Sequence, residues 1–177
     1  MPTLVLPTVA VRESFVAAMA EFRAEGRGGP DDHSMIGRDL RESAGTWDTD
    51  EGFARYVASV IAETDRPPNG WVPSTSWWWV EGTEYLGRIA VRHELTDALR
   101  ESGGHIGYDV RASARRRGHA TAMLRAVLPL ARELGVRPAA LLTTDVTNIG
   151  SRAVIEACGG TLQDDRGGVC RYWVPTG

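Results

Sequence analysis

The stretch His105-Ile-Gly-Tyr-Asp-Val-Arg-Ala-Ser-Ala-Arg115-Arg-Arg-Gly118-His-Ala120 carries three signals in succession. Residues 104–110 read as a short strand, residues 111–117 as a basic turn, and Gly118 as the start of a long helix. That helix runs over residues 118–134, because Ala120, Met123, Leu124, Val127, Ala131 and Leu134 form one apolar stripe. Pro129 lies inside it and should kink it, since the Arg125 carbonyl loses its donor. A strand that enters a helix through a glycine outlines an anion site. The first turn of a helix leaves backbone N–H groups without partners, pointing beyond the N-terminus. Gly118 and Ala120 keep this turn free of bulk, and Arg115, Arg116 and Arg117 add positive charge. The local pattern alone equally describes a solvated basic turn.

Downstream, residues 139–144 are a buried strand and residues 148–158 a short helix ended by Gly159-Gly160. Short strands over 161–163 and 168–174 follow. Upstream, residues 84–93 are a strand with Tyr85, Gly87, Ile89, Val91 and His93 facing one way. Gly82-Thr83 is a hairpin turn joining it to residues 76–81, where alternation sends Trp77 and Trp79 to one face and Trp78 to the other. Core packing is the favoured role for those tryptophans. Residues 94–103 read as a loop. Nearer the N-terminus come a strand over 3–7, a helix over 8–24, an irregular polar stretch over 31–50, and a helix opened by Thr49-Asp50-Glu51. That last helix has Phe53, Tyr56, Val57, Val60 and Ile61 on one face. The order β, α, α, β, β, β, α, β, α, β, β makes an α/β domain with a mixed sheet and helices on both faces.

Length and charge bound the function. The 177 residues suit one domain, and 20 Lys+Arg against 23 Asp+Glu give a net charge of −3. All the basic residues are arginines. Without lysine there is no P-loop lysine, no Schiff base for pyridoxal phosphate and no Ser/Lys dyad. A mildly acidic chain has no general attraction for nucleic acid or anionic lipid. Cys158 and Cys170 form no CxxC and the histidines no HxxxH, so two free thiols and no metal are expected. No run of 18 apolar residues signals a membrane span. Ala18-Met19-Ala20 imitates a cleavage site, but Pro7, Arg12 and Glu13 interrupt the apolar run and no basic segment precedes it, so a cytoplasmic protein is expected.

Arg115-x-x-Gly118-x-Ala120 resembles the (Q/R)-x-x-G-x-(G/A) motif of the GNAT superfamily of acyl-CoA-dependent N-acetyltransferases. Asn148-x-x-Ser151, opening a helix after a buried strand, resembles that family's second cofactor segment, and the resemblance extends over residues 77–173. It implies one GNAT-like domain over residues 1–177, with a mostly antiparallel sheet. Residues 1–75 would be the variable acceptor-side helices and 76–177 the acyl-CoA-binding core. The implied co-substrate is acetyl-CoA, with no metal. The implied cofactor-binding residues are Tyr108, Val110, Arg115, Arg116, Arg117, Gly118, His119, Ala120, Thr121, Asn148 and Ser151. The pyrophosphate would rest on the turn, and the Val110 amide would bond pantetheine or polarise the thioester carbonyl.

The chemistry is then direct attack by a primary amine, which needs a base for the ammonium proton and an acid or solvent for the thiolate. Many members place a tyrosine acid seven residues after the asparagine, where this chain has Ile155. His105 is the first candidate base, because an imidazole with an ordinary pKa of about 6.5 suits proton removal near neutrality. His93 and Glu94, ending the neighbouring strand, are its rivals. The acids Asp31, Asp32, Asp48, Asp50 and Glu51 serve either to attract a cationic amine or as loop and cap chemistry. The acceptor, a small molecule or a protein amine, is not encoded legibly, and homodimers occur in the family. A silent acyl-CoA-binding module is the alternative motivated by Ile155. A nucleic-acid domain using Arg111 and Arg115 to Arg117 is a third reading, opposed by the net charge.

Overall fold

Three consecutive tryptophans show how the sheet is covered on both sides. In the computed structural model, which describes residues 1–177, they lie on β2 (Ser74–Glu81), next to β3 (Glu84–Arg92). Trp78 is fully buried on one face and stacks on Phe15 with ring centroids 5.0 Å apart. Trp79 is buried on the other face, with Trp77 packed against the same cluster. Alternation along a strand therefore places large apolar groups on both sides, and both must be covered by helices.

Helices α1 (Arg12–Ala24), α2 (Met35–Glu42) and α3 (Asp50–Ala62) cover the Trp78 face, where Phe15, Phe22, Ile36, Phe53 and Tyr56 complete one core. Helices α5 (His119–Glu133) and α6 (Ile149–Ala157) cover the other, through Met123, Leu124, Val127 and Ile155. The strands form two sheets. The first is ordered β1-β2-β3-β4, with β1 at Thr3–Val5 and β4 at Ile106–Val110. The second is ordered β5-β7-β6, with β5 at Ala139–Asp145, β6 at Thr161–Arg166 and β7 at Val169–Pro175. All five ladders are antiparallel. The α/β architecture with helices on both faces is the one expected, with the sheet divided between β4 and β5.

Several local expectations are corrected. Residues 31–50 contain α2, capped by Ser34, whose Oγ accepts from Gly37 N at 3.0 Å. Residues 94–103 contain a short helix, α4 (Asp97–Glu101), capped by Thr96. Tyr85 does not share a face with Ile89: the register slips at Trp79/Val80, leaving Leu86 as the extra residue, so Tyr85 enters the Trp78 core. Ile61 is 41% exposed rather than core-facing. No helix is long and apolar enough to cross a membrane. Both cysteines are free thiols.

Candidate active site

The sheets meet at one point and part beyond it. His105 N donates to Leu141 O at 2.7 Å, and Leu141 N donates back to His105 Nδ1 at 2.9 Å. Gly104, with φ +61°, permits this approach, because a Cβ there would stand 2.4 Å from the Leu141 oxygen. Past the junction a cleft of about 360 Å3 opens, lined by residues 106–109 on one side and 142–144 on the other. Asn148, Ser151 and Ile155 of the α6 end complete its wall.

The cleft is edged by unused backbone. Arg92 N bonds His105 O and Arg111 N bonds Leu86 O, which fixes the odd-numbered residues of β4 as those paired with β3. The N–H groups of Ile106, Tyr108 and Val110 and the C=O groups of Ile106 and Tyr108 therefore point into the split. The bonds Val146 N to Gly168 O and Thr176 N to Pro138 O set the same alternation on β5, so Thr143 presents its backbone and Asp145 its N–H to it as well, the Asp145 carbonyl accepting from Asn148 N at 2.9 Å.

The basic turn follows Val110. Arg116 has φ 63° and Gly118 φ 81°, both in the left-handed region, so Gly118 answers a backbone requirement. A Cβ on it would meet nothing within 4 Å. Gly118 is also the N-cap of α5 and offers no side chain to the first-turn amides, which stay available to an anion.

The arginines divide by role. Arg111 is buried and bonds Glu21, Ser14 Oγ and the Tyr85 carbonyl. Arg115 donates from Nε to Val110 O at 2.9 Å and pairs with Glu25, so its charge faces α1 rather than the cleft. Of the four arginines of this turn, Arg116 and Arg117 are exposed and form no ion pair. His119 packs: its Nδ1 accepts from Trp79 Nε1 at 3.3 Å. Ala120 and Thr121 are half-buried in the first turn, where the Thr121 carbonyl accepts from Cys158 Sγ at 3.7 Å.

At the other wall Asn148 caps α6, its Oδ1 accepting from Ser151 N at 3.0 Å. Ser151 Oγ lies 2.7 Å from the Tyr108 hydroxyl, bridging α6 and β4. Burial pushes the Tyr108 phenol up to about 12, partly offset by the Ser151 hydrogen bond. Ile155 is 1% exposed at the floor of the cleft.

The three base candidates lie outside the cleft lining. His105 spends its Nδ1 lone pair on Leu141 N, so the neutral ring carries its proton on Nε2 and has no acceptor left. Burial, with Arg100 and Arg92 nearby, lowers its pKa to about 4. His93 Nε2 is 2.9 Å from Thr75 Oγ1, and burial lowers its pKa too. Glu94 is exposed beyond the end of β3. The ionisable groups that do line the cleft are His33, Arg92, Tyr108 and Asp109. Strand alternation carried the signal for Asp109, since it faces opposite to the core residues Ile106 and Val110. The acids read as an amine trap are structural where they are bonded: Asp32 accepts from Gly28 N and Ser34, and Asp50 pairs with Arg12.

The family model described as the acetyltransferase (GNAT) domain matches residues 32–161. No curated protein sequence matches the chain. Solved structures do. The microcin C7 self-immunity acetyltransferase MccE, solved with acetyl-CoA and AMP, is 14% identical with a TM-score of 0.64, over 98% of this chain and 92% of its own. RimL, a ribosomal L7/L12 alpha-N-protein acetyltransferase solved with coenzyme A, is 15% identical with a TM-score of 0.63, over 97% and 92%. RimJ of Mycobacterium smegmatis, in complex with a CoA disulfide, is 16% identical with a TM-score of 0.63, over 98% and 84%. At these identities the likeness is one of fold.

Proposed function

We propose, for a chain that belongs to the GNAT acetyltransferase family, that acetyl passes from acetyl-CoA to a primary amine inside the split between β4 and β5. The observation that carries the reading is the row of unpaired amides of Tyr108 and Val110, leading to the uncapped first turn of α5. Acetyl-CoA supplies a thioester whose acyl carbon an amine attacks: a C–N bond forms, the C–S bond breaks, one proton leaves nitrogen and one returns to sulfur. The amides from Arg116 to Ala120 hold the pyrophosphate, with Arg116 and Arg117 adding charge from the rim. Tyr108 and Val110 bond the pantetheine arm along β4, and the Val110 N–H polarises the carbonyl. Arg115 acts indirectly, by fixing the turn against α1.

Ser151, hydrogen-bonded to Tyr108, takes the place of the tyrosine that Ile155 lacks. Its hydroxyl, held by Tyr108, can pass a proton to sulfur and regain one from solvent. An alkyl thiol with an ordinary pKa of about 8.5 asks little of such a donor. On the amine side Asp109, held 3.2 Å from Arg27, directs the nitrogen, and His33 at the rim leads its proton to solvent. Ile155 is the one feature favouring a silent acyl-CoA-binding module.

The remaining assignments are part of the same reading. Residues 1–75 form the acceptor side and 76–177 the cofactor core, the acceptor is a small-molecule or protein amine, and the reaction takes place in the cytoplasm. A homodimer is testable by sedimentation. The deciding experiment follows thiol release from acetyl-CoA across a panel of amines. Release that depends on an amine supports acetyl transfer. Tight coenzyme A binding with no release for any amine supports the silent module. The chain contains no lysine, so acetyl groups cannot accumulate on its own side-chain amines and blur the assay.

A further inference from the structure

Arg92, Gly107 and Asp109 share one face of two neighbouring strands, beneath the start of α2. The Arg92 guanidinium folds over Gly107: its Nη1 stands 4.0 Å from where a Gly107 Cβ would be, and Met35 Cε stands 3.3 Å from that point. Nη1 donates to the carbonyls of Gly103 and Gly104, each at 3.1 Å. Its other N–H groups bond nothing in the chain and border the cleft.

The charge around this guanidinium is unbalanced. Its charged neighbours are Arg38 and Arg88, both cations. Arg38 is taken by Glu63 and Arg88 by the buried Asp39, and no carboxylate of the chain is left for Arg92. A cation half withdrawn from water without an anion is costly, and an anion arriving from outside offsets that cost. Two residues further along β4, roughly 7 Å away at strand spacing, Asp109 supplies a carboxylate to the same cleft. Asp109 adjoins Val110, at the end assigned to the thioester. The Arg92 end is bordered by Met35, the loop carrying Gly103 and Gly104, and the His105–Leu141 junction.

We propose that the acceptor is a small amine bearing its own carboxylate, an amino acid or close analogue, with the carboxylate bound by Arg92 and the amine directed to Asp109. This rests on the acetyl-transfer reading above. A peptide N-terminus fits less well, because its α-carboxyl is already an amide and brings Arg92 no charge.

The test compares L-amino acids with their α-carboxamides in the thiol-release assay. At least one acid should exceed its amide by tenfold or more in kcat/KM, and Arg92→Gln should bring that ratio to within about twofold of unity. Because glutamine also loosens the hold on Gly103 and Gly104, Arg92→Lys is the companion variant, and should retain part of the preference. Amides equal to acids in the native enzyme, or a preference that survives Arg92→Gln, overturns the proposal. If no amine of either set releases thiol, acetyl transfer is what fails. Arg92 is then tested by calorimetry with coenzyme A present, using N-acetyl amino acids and their amides as probes. Tenfold tighter binding of the acids, lost in Arg92→Gln, sustains the anion site, and equal binding sinks it.

Discussion

Replacing His105 with alanine should weaken the joint between the two sheets and leave the pH dependence of turnover in place. The Leu141 N–H, on a strand residue only 2% exposed, loses its acceptor when the imidazole is removed. A buried donor left unsatisfied costs about 1–3 kcal/mol. At about 2–4 °C per kcal/mol for a chain of this size, the middle of that range lowers Tm by roughly 4–8 °C. The sign of the pH effect follows from the depressed pKa, about 4 in the fold against an ordinary 6.5. As pH falls below 6.5 the unfolded chain takes the proton first. The contribution of His105 to stability is therefore complete above 6.5 and is lost as pH falls toward 4. His105→Ala should flatten that part of the stability curve. Urea unfolding from pH 4 to 8 reads the first effect, and a pH–rate profile through neutrality reads the second. A turnover loss of about 10²–10⁴-fold, with stability unchanged and a limb near the ordinary histidine value abolished, would refute this account and restore His105 as the base.

Gly118→Asp forces a side chain into a left-handed position and sets a carboxylate at the pyrophosphate cradle, so calorimetry should show at least a tenfold loss of acetyl-CoA affinity, about 1.4 kcal/mol or more. Ser151→Ala and Tyr108→Phe should each lower kcat more than they raise KM. The double variant should lose less than the product of the single effects, because the two hydroxyls form one hydrogen-bonded pair. Asp39→Asn leaves Arg88 charged and unpaired in the core and should cost about 3–5 kcal/mol in denaturant unfolding. Burial raises the Glu21 carboxyl, but the Arg111 bonds and the Ser113 N–H outweigh it and bring it down to about 2. Its stabilisation is therefore full above 4.5 and fades as pH falls toward 2, and Glu21→Gln should remove that part of the acid sensitivity of Tm.

The end proposed for the cofactor was legible because its signals are local. A strand, a turn needing a left-handed backbone and an amphipathic helix stand in one continuous stretch, each with its own periodicity. The end proposed for the acceptor was not, because its residues are chosen by tertiary partners. Helix α2 was hidden by the buried Asp39 and by Gly37, which interrupt any apolar stripe, although Ser34 with Ile36 and Leu40 left a faint capping and spacing signal. Asp39 is buried only because Arg88 and Tyr56 reach it from elements 49 and 17 residues away. His105 was legible as the residue at the strand mouth. That its ring would serve a backbone amide 36 residues later was not, since only the approach of β5 supplies that donor. Arg115 likewise stood in the motif, yet the carboxylate that turns it away from the cleft lies 90 residues upstream.

Glu21 on α1 and Glu25, which caps its C-terminus, stand one turn apart, and between them they grip Arg111, Ser113 and Arg115. The helix proposed to shape the acceptor side is thus also the splint for the basic turn. For protein engineering, this limits modular exchange. A chimera that imports the first helices of a relative to change substrate would also replace the splint. Unless acids are kept at both positions, such grafts should lose cofactor affinity before any new acceptor is tried. In a lineage that diversifies its substrates, the same constraint would confine early change to loops and to α2 and α3, with the inner face of α1 among the last surfaces to drift.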